Sequence, residues 1–276
     1  MRSHERFFVQ AGVVVLGATL CGSASGQEVA AWKVHPSLRD KWTIQLGAFS
    51  AKIDTTARLD STTTGAGTSV SFEDDLGLAD RKLTGALLAS VRLGERWKIE
   101  AEYFSLRRGN SHALDRTIMW GDDTYAVNTV VTSEFNSDTY RLSGGYSFIR
   151  DDERELGVAL GLHTTDISAT LSAAGVATRA GEALARLPTI GVYGAYAFSP
   201  KWLLSGRLDY FSLNYDNFDG SLVNFTAGVE YRISRHFGIG AGYRHVGYDL
   251  SVTGAKSTFS INYKFNGPTL FAVASF

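Results

Sequence analysis

From about Lys41 to the end, polar and apolar residues alternate with a period of two. In residues 222–233, Val223, Phe225, Ala227, Val229, Tyr231 and Ile233 share one parity, and Asn224, Thr226, Gly228, Glu230 and Arg232 share the other. Successive side chains of a strand point to opposite faces, so this pattern predicts a strand with one apolar and one polar face. Trp42, Ile44, Leu46 and Ala48 repeat it, as do Leu83 to Leu93, Trp97 to Tyr103, Tyr140 to Phe148 and Leu156 to Leu162. It continues through residues 188–198, 202–211 and 237–244 and a last strand from about Ser257 to Phe276. In that last strand Phe259, Ile261, Tyr263 and Phe265 are odd while Leu270, Ala272, Ala274 and Phe276 are even, which predicts a bulge at Asn266-Gly267-Pro268.

Ten strands result, within a range of eight to twelve. Short connections (Gly94-Glu95-Arg96, Arg150 to Glu155, Ser199-Pro200-Lys201, Ser234-Arg235-His236) alternate with mostly longer ones at about 54–81, 109–129, 173–185, 215–221 and 252–256. An even strand count with short turns at one end and longer loops at the other is the arrangement of an up-and-down antiparallel transmembrane β-barrel, turns toward the periplasm and loops outside. A weak internal repeat fits hairpins: Arg96-Trp97 leads to Tyr103-Phe104-Ser105-Leu106, and Lys201-Trp202 leads to Tyr210-Phe211-Ser212-Leu213.

The beginning of the chain reads as an export signal. Arg2 and Arg6 precede a mostly apolar run from Phe7 to Cys21, and Ala24-Ser25-Gly26 offers a small-residue cleavage site. We therefore divide the chain into a signal peptide (1–26), a periplasmic lead (27–40) and a barrel (41–276). Cys21 is the only cysteine and would leave with the signal, so the mature chain has no thiol chemistry. After Gly26 no apolar run approaches the roughly 20 residues of a membrane helix. The formal net charge of -1 gives no basic field for a nucleic-acid backbone, and we exclude that partner.

Aromatic placement separates a membrane barrel from a soluble sandwich. Trp42, Trp97, Trp202 and Phe237 follow the N-terminus or a short turn, and Phe148, Phe198, Tyr231 and Phe276 precede a short turn or the end. All lie on the apolar face, as a girdle at the headgroup level would, and Tyr103, Tyr140, Tyr210 and Tyr243 can form the second girdle. The polar face carries opposite signs on neighbouring strands: Arg92, Glu100, Glu102, Arg141, Arg207, Asp209, Glu230, Arg232 and Arg244, with Lys82, Lys98 and Lys264 on the same expected face. In a closed barrel these converge and neutralise one another.

On these features the mature sequence resembles the smaller Gram-negative outer-membrane β-barrel proteins. Such proteins end in an aromatic residue that the barrel-insertion machinery reads, which the resemblance places at Phe276. The segment Ser71 to Leu78 looks like an element that recurs in barrels of this kind, and it assigns no activity. Whether Gly77 and its neighbours enter the lumen is left open by the sequence.

Two constellations suggest catalysis. His163, Thr165 and Asp166 resemble the histidine and hydroxyl of outer-membrane lipid-modifying enzymes, but Thr replaces Ser and the pair takes the lumen parity. Asp122-Asp123 with His245 and Asp249 would be the residues of a rim protease. A hydrogen-bonded lumen histidine is the simpler account of the first, and any acidic loop would offer the second. Solvated loop charge accounts for the acidic residues Glu73, Asp74, Asp75, Asp80, Asp115, Asp122 and Asp123, which could otherwise share divalent cations with lipopolysaccharide phosphates. The expectation is a monomeric, non-enzymatic outer-membrane barrel with no metal or cofactor, contacting outer-membrane lipid and lipopolysaccharide. Its lumen is largely filled by charge and its role is structural or surface-interacting. The alternatives are a narrow porin-like channel for small solutes and an outer-membrane lipid-modifying enzyme or protease.

Overall fold

A computed structural model describes residues 33–215, 218–254 and 257–276; the expected signal 1–26 lies outside them. One short helix, α1 (Pro36–Arg39), precedes the strands β1 (Trp42–Leu59), β2 (Val70–Ser71), β3 (Arg81–Leu93), β4 (Trp97–Ala113), β5 (Ile118–Trp120), β6 (Asp123–Tyr125), β7 (Val130–Arg150), β8 (Arg154–Ala173), β9 (Val176–Ser199), β10 (Trp202–Tyr215), β11 (Phe218–Arg232), β12 (Phe237–Thr253) and β13 (Thr258–Ser275). The ten long strands pair antiparallel in sequence order, and β13 closes back on β1 from Thr43↔Ser275 to Leu59↔Phe259. Closure removes every free edge at the level of the membrane, where an unpaired backbone group would have no water to bond.

Several strands are far longer than the 9–11 or so residues a tilted membrane strand needs. β7 has 21 residues and β9 has 24. Parts of 54–81, 109–129 and 173–185 that read as loops are therefore continuations of strands, and the β8–β9 connection shrinks to Ala174-Gly175, with Gly175 at φ +77°. The β3–β4 turn likewise needs Gly94, at φ +67°.

The extra length makes two storeys with opposite polarity. In the storey next to the short turns, Leu46, Leu160, Ile190 and Leu270 are 65–70% exposed on the outer face. In the other storey the apolar residues turn inward: Phe49, Ile53, Phe135, Ile167, Leu171, Leu187, Tyr248, Tyr263 and Phe265 are at most 2% exposed. Below, hydrocarbon meets the outside and charge fills the inside. Above, water meets the outside and the inside is dry.

This corrects the expected bulge at Asn266-Gly267-Pro268. Register runs unshifted through that tripeptide on both sides, from Phe237↔Ala274 to Thr253↔Thr258 against β12 and with the same offset against β1 before and after it. The change of apolar parity marks the change of storey, not an inserted residue. Irregularities fall elsewhere, between Ser147 and Ile149, Leu171 and Ala173, and Trp202 and Leu203. Lys264, expected inside, consequently lies on the outer face, and Lys82 is exposed at the far end of β3.

Candidate functional site in the barrel interior

The girdle residues begin or end strands at the short-turn end. Trp42, Trp97, Phe148, Phe198, Trp202, Phe237 and Phe276 are exposed on the outer face, and Tyr231 is half-buried against Trp202, ring centroids 4.8 Å apart. Phe276 pairs its backbone with Trp42 in both directions, at 2.9 and 3.0 Å. At the other apolar boundary Tyr103 packs on Tyr140 at 4.8 Å. In both copies of the weak repeat the Trp opens an upward strand and the Tyr sits at the far girdle.

Inside, three layers follow one another. The first is the segment 33–40 at the short-turn end. Leu38 is 1% exposed and packs with Ala197 and Leu203. Its polar neighbours bond the barrel wall: Ser37 Oγ lies 3.0 and 3.1 Å from the two Glu230 carboxylate oxygens, Arg92 donates to Ser37 O at 3.2 Å, and Arg150 donates to Leu38 O at 2.9 Å. Asp40 accepts from Arg235 and from Ser275, each at 2.6 Å. Burial alone would raise the Asp40 carboxyl, but these two donors hold it below its ordinary range. Burial, followed by the nearby Arg232, lowers His35 to about 4, so its ring is neutral at neutral pH.

The second layer is ionic. All nine residues of the expected network face the interior. Glu102 receives Arg141 Nε at 3.0 Å and is also bonded by Arg244. Arg207 bridges Glu100 and Asp209, the latter at 2.7 Å, while Asn224 donates to Asp209 at 3.0 Å. Arg232 meets Glu230 at 2.6 Å. Arg92 pairs with Glu155 at 2.7 and 2.8 Å. Glu155 was assigned to a turn; its odd parity, shared with Gly157, Gly161 and His163, was the signal that it belongs inside. Lys98 stands 3.6 Å from the centre of the Tyr193 ring. Each cation meets an acid or a ring, as charges removed from water require. Between these side chains a cavity of about 220 Å³ remains.

The third layer is apolar and comes largely from the β1–β3 connection. Phe72 lies 6.2 Å from Trp120 of β5 and 5.7 Å from Phe135 of β7, and Leu76 and Leu78 are at most 3% exposed. Below them Phe104 meets Phe265 at 5.6 Å and Phe135 meets Tyr263 at 4.9 Å. Arg108 rises through this layer, pairing with Glu73 and donating to Thr55 Oγ1 at 2.6 Å and Ala79 O at 3.1 Å. Gly77 adopts φ +65°, and a Cβ there would stand 2.9 Å from Asn110 Nδ2, which bonds Gly77 O at 2.8 Å. Gly77 and its neighbours thus do fold into the mouth.

The catalytic constellations are not brought together. His163 is 3% exposed and its Nδ1 lies 3.3 Å from Thr189 Oγ1; Thr165 bonds Tyr248 at 3.0 Å; Asp166 sits on the outer face. Asp122 accepts from Ser61 and Thr62 at 2.8 and 2.6 Å, and these hydroxyls, Thr62 first, lower its carboxyl to about 2. Asp123 pairs with Arg179, while His245 and Asp249 lie on the outer face of β12. Among the described residues no group of three or more His, Cys, Asp or Glu is placed to hold a metal ion. Glu73 and Asp75 are held by arginines, Asp75 by Arg116 at 2.6 and 2.8 Å.

No protein-family model and no characterised protein sequence matches the chain. Solved structures do. The outer-membrane protease OmpT of Escherichia coli aligns with a TM-score of 0.54 and 12% identity over 90% of this chain and 99% of its own. OprG, an outer-membrane protein of Pseudomonas aeruginosa, aligns at 0.40 and 10% over 90% and 99%. Neisserial surface protein A aligns at 0.33 and 13% over 85% and 97%. At these identities the likeness concerns the fold. With ten strands closed on themselves, an apolar belt on the outer face and the alignment with OmpT, the chain has the fold of an outer-membrane β-barrel.

Proposed function

We propose that the protein is a closed, non-conducting barrel whose work is done at the cell surface and in the membrane around it, not through its lumen. The observation that carries this reading is that the lumen is covered twice, by residues 33–40 at the short-turn end and by the Phe72 layer at the other. The ionic layer between them leaves about 220 Å³ and is internally paired. By the rule for bacterial barrels the long-strand end faces outside, so the tall wall of β7, β8 and β9 is what a surface partner would meet. Proteolysis, the activity of the protein with the 0.54 alignment, is set aside because Asp122 and Asp123 are engaged and His245 faces outward. Insertion through the strand ending at Phe276, contact with lipopolysaccharide and a monomeric state belong to the same proposal.

Planar-bilayer recording tests it. The wild-type protein should give no stable conductance, deletion of residues 33–40 should not suffice to open it, and deletion of 33–40 together with 62–79 should. Large, reproducible wild-type steps that change on Arg207→Ala would establish the narrow channel instead. Altered lipid A, phospholipid or peptide profiles on His163→Ala or His245→Ala would establish an enzyme.

A further inference from the structure

Because β13 crosses Asn266-Gly267-Pro268 without a bulge, Lys264 faces outward, and it joins two other cations there. Lys52 of β1 stands directly across from Arg81 of β3, and on its other side across from Asn266 of β13, two residues from Lys264. All three cations are exposed, and among the described residues none has a carboxylate within ion-pair distance. Three adjacent strands at about 4.8 Å spacing, with a two-residue offset to Lys264, put them within roughly 12 Å of one another.

Their height on the barrel gives the patch its meaning. Lys52 lies ten residues above the girdle residue Trp42 on β1, Arg81 ten above Val91, which pairs with Trp42, and Lys264 ten above Ala274, which pairs with Phe237. Ten residues at a rise of about 3.4 Å and a tilt near 40° climb roughly 26 Å, close to the ~25 Å apolar band of such barrels. The patch therefore sits where hydrocarbon gives way to headgroups in the outer leaflet. Tyr243 of the upper girdle lies just below and donates to Asn266 Oδ1 at 3.0 Å, an acceptor role that leaves the half-buried Asn266 its amide N–H groups as further donors.

The belt is polarised at this height. Ten residues above Phe148 and Leu156, β7 and β8 carry Asp138 directly across from Asp166, and Arg107 of β4 is taken by Asp138 at 3.1 Å. Three cations without an ion pair among the described residues are thus gathered on β13, β1 and β3, with the exposed Asp54 directly across from Lys264 and Asp80 just before Arg81, whereas β9 carries the single cation Arg186 at this height. We infer that this patch is a binding site for the phosphorylated headgroup of an outer-leaflet lipid, with Lys52, Arg81 and Lys264 sharing the phosphate oxygens and Asn266 adding a hydrogen bond. Ammonium and guanidinium groups bond phosphate with charge assistance, and a headgroup arriving from the adjoining leaflet needs no route through the protein. The inference does not depend on whether the lumen conducts.

The test uses the full folded chain in a neutral detergent, with the heat-dependent shift in gel mobility as the check of folding. Native mass spectrometry with titrated ligand follows bisphosphorylated lipid A, the same lipid stripped of both phosphates, and inorganic phosphate alone. Wild type should retain the phosphorylated lipid roughly a hundredfold better than the stripped one, and Lys52→Gln/Arg81→Gln/Lys264→Gln should erase that preference. Lys264→Gln alone should cost about fivefold, which keeps the test available if the triple variant does not fold. Arg186→Gln, exposed on β9, should change nothing. Equal retention of both lipids by wild type, or a full preference kept in the folded triple variant, overturns the proposal. Inorganic phosphate that displaces the phosphorylated lipid at equal concentration makes it a free-anion site and overturns the lipid assignment.

Discussion

The ring of Phe72, in the connection between β1 and β3, packs edge-on against that of Phe135 in β7, centroids 5.7 Å apart and both 0% exposed. A residue from a connection is thus the centre of the core that closes the outer mouth. Removing it leaves a cavity lined by Trp120 and Phe135. We expect Phe72→Ala to cost about 3–5 kcal/mol of the mouth layer's stability. Limited proteolysis should then cut within residues 60–80 while the barrel keeps its folded gel mobility; an uncut loop would show that the layer does not depend on this ring.

Acid should loosen the same layer. The two hydrogen bonds from Arg116 hold the Asp75 carboxyl below its ordinary value, with a smaller contribution from Ser71 N. A carboxyl depressed in the folded state adds stability that is complete above the unfolded pKa of about 3.9 and is lost as pH falls through the folded value. Hydrogen exchange of residues 70–79 should therefore be flat from neutral pH down to about 5 and rise below about 4, once corrected for intrinsic rates. Asp75→Asn should remove that step, and a step that survives would assign it to another group.

Glu102 is 6% exposed and sits between Arg141 and Arg244. Glu102→Gln leaves two arginines facing one neutral amide in a place without water to spare. The expected cost is about 3–5 kcal/mol in urea unfolding from lipid vesicles, and Glu102→Gln/Arg244→Gln should recover part of it because the excess charge goes too. Additive losses would mean that the pair is not coupled.

The outer face can be probed at Leu160, 70% exposed on β8 between the girdles. Leu160→Arg should destabilise the inserted barrel by about 2–4 kcal/mol, whereas Thr170→Arg, on the same face of β8 in the outer storey, should be nearly neutral. Equal effects at the two positions would contradict the assigned height of the apolar band.

The sequence by itself determined the strands, their number and the side each residue of the lower storey faces. Alternation is local: Leu156 to Leu162 or Val223 to Ile233 state their two environments without reference to any other strand. The nine charged residues faced inward for the same reason. What local pattern could not carry was height. Phe265 and Leu270 are both apolar, of opposite parity, and an inserted residue would explain them as well as a change of surroundings does; only the continuous pairing with β12 and the unchanged register with β1 on both sides of Gly267-Pro268 decided that the surroundings change. That decision put Lys264 outside, across from Asp54 and diagonal to Lys52. The closure of the mouth by Phe72, and of the short-turn end by Leu38, were likewise tertiary facts, because a connection's apolar residues acquire an inside only once ten strands have closed around them.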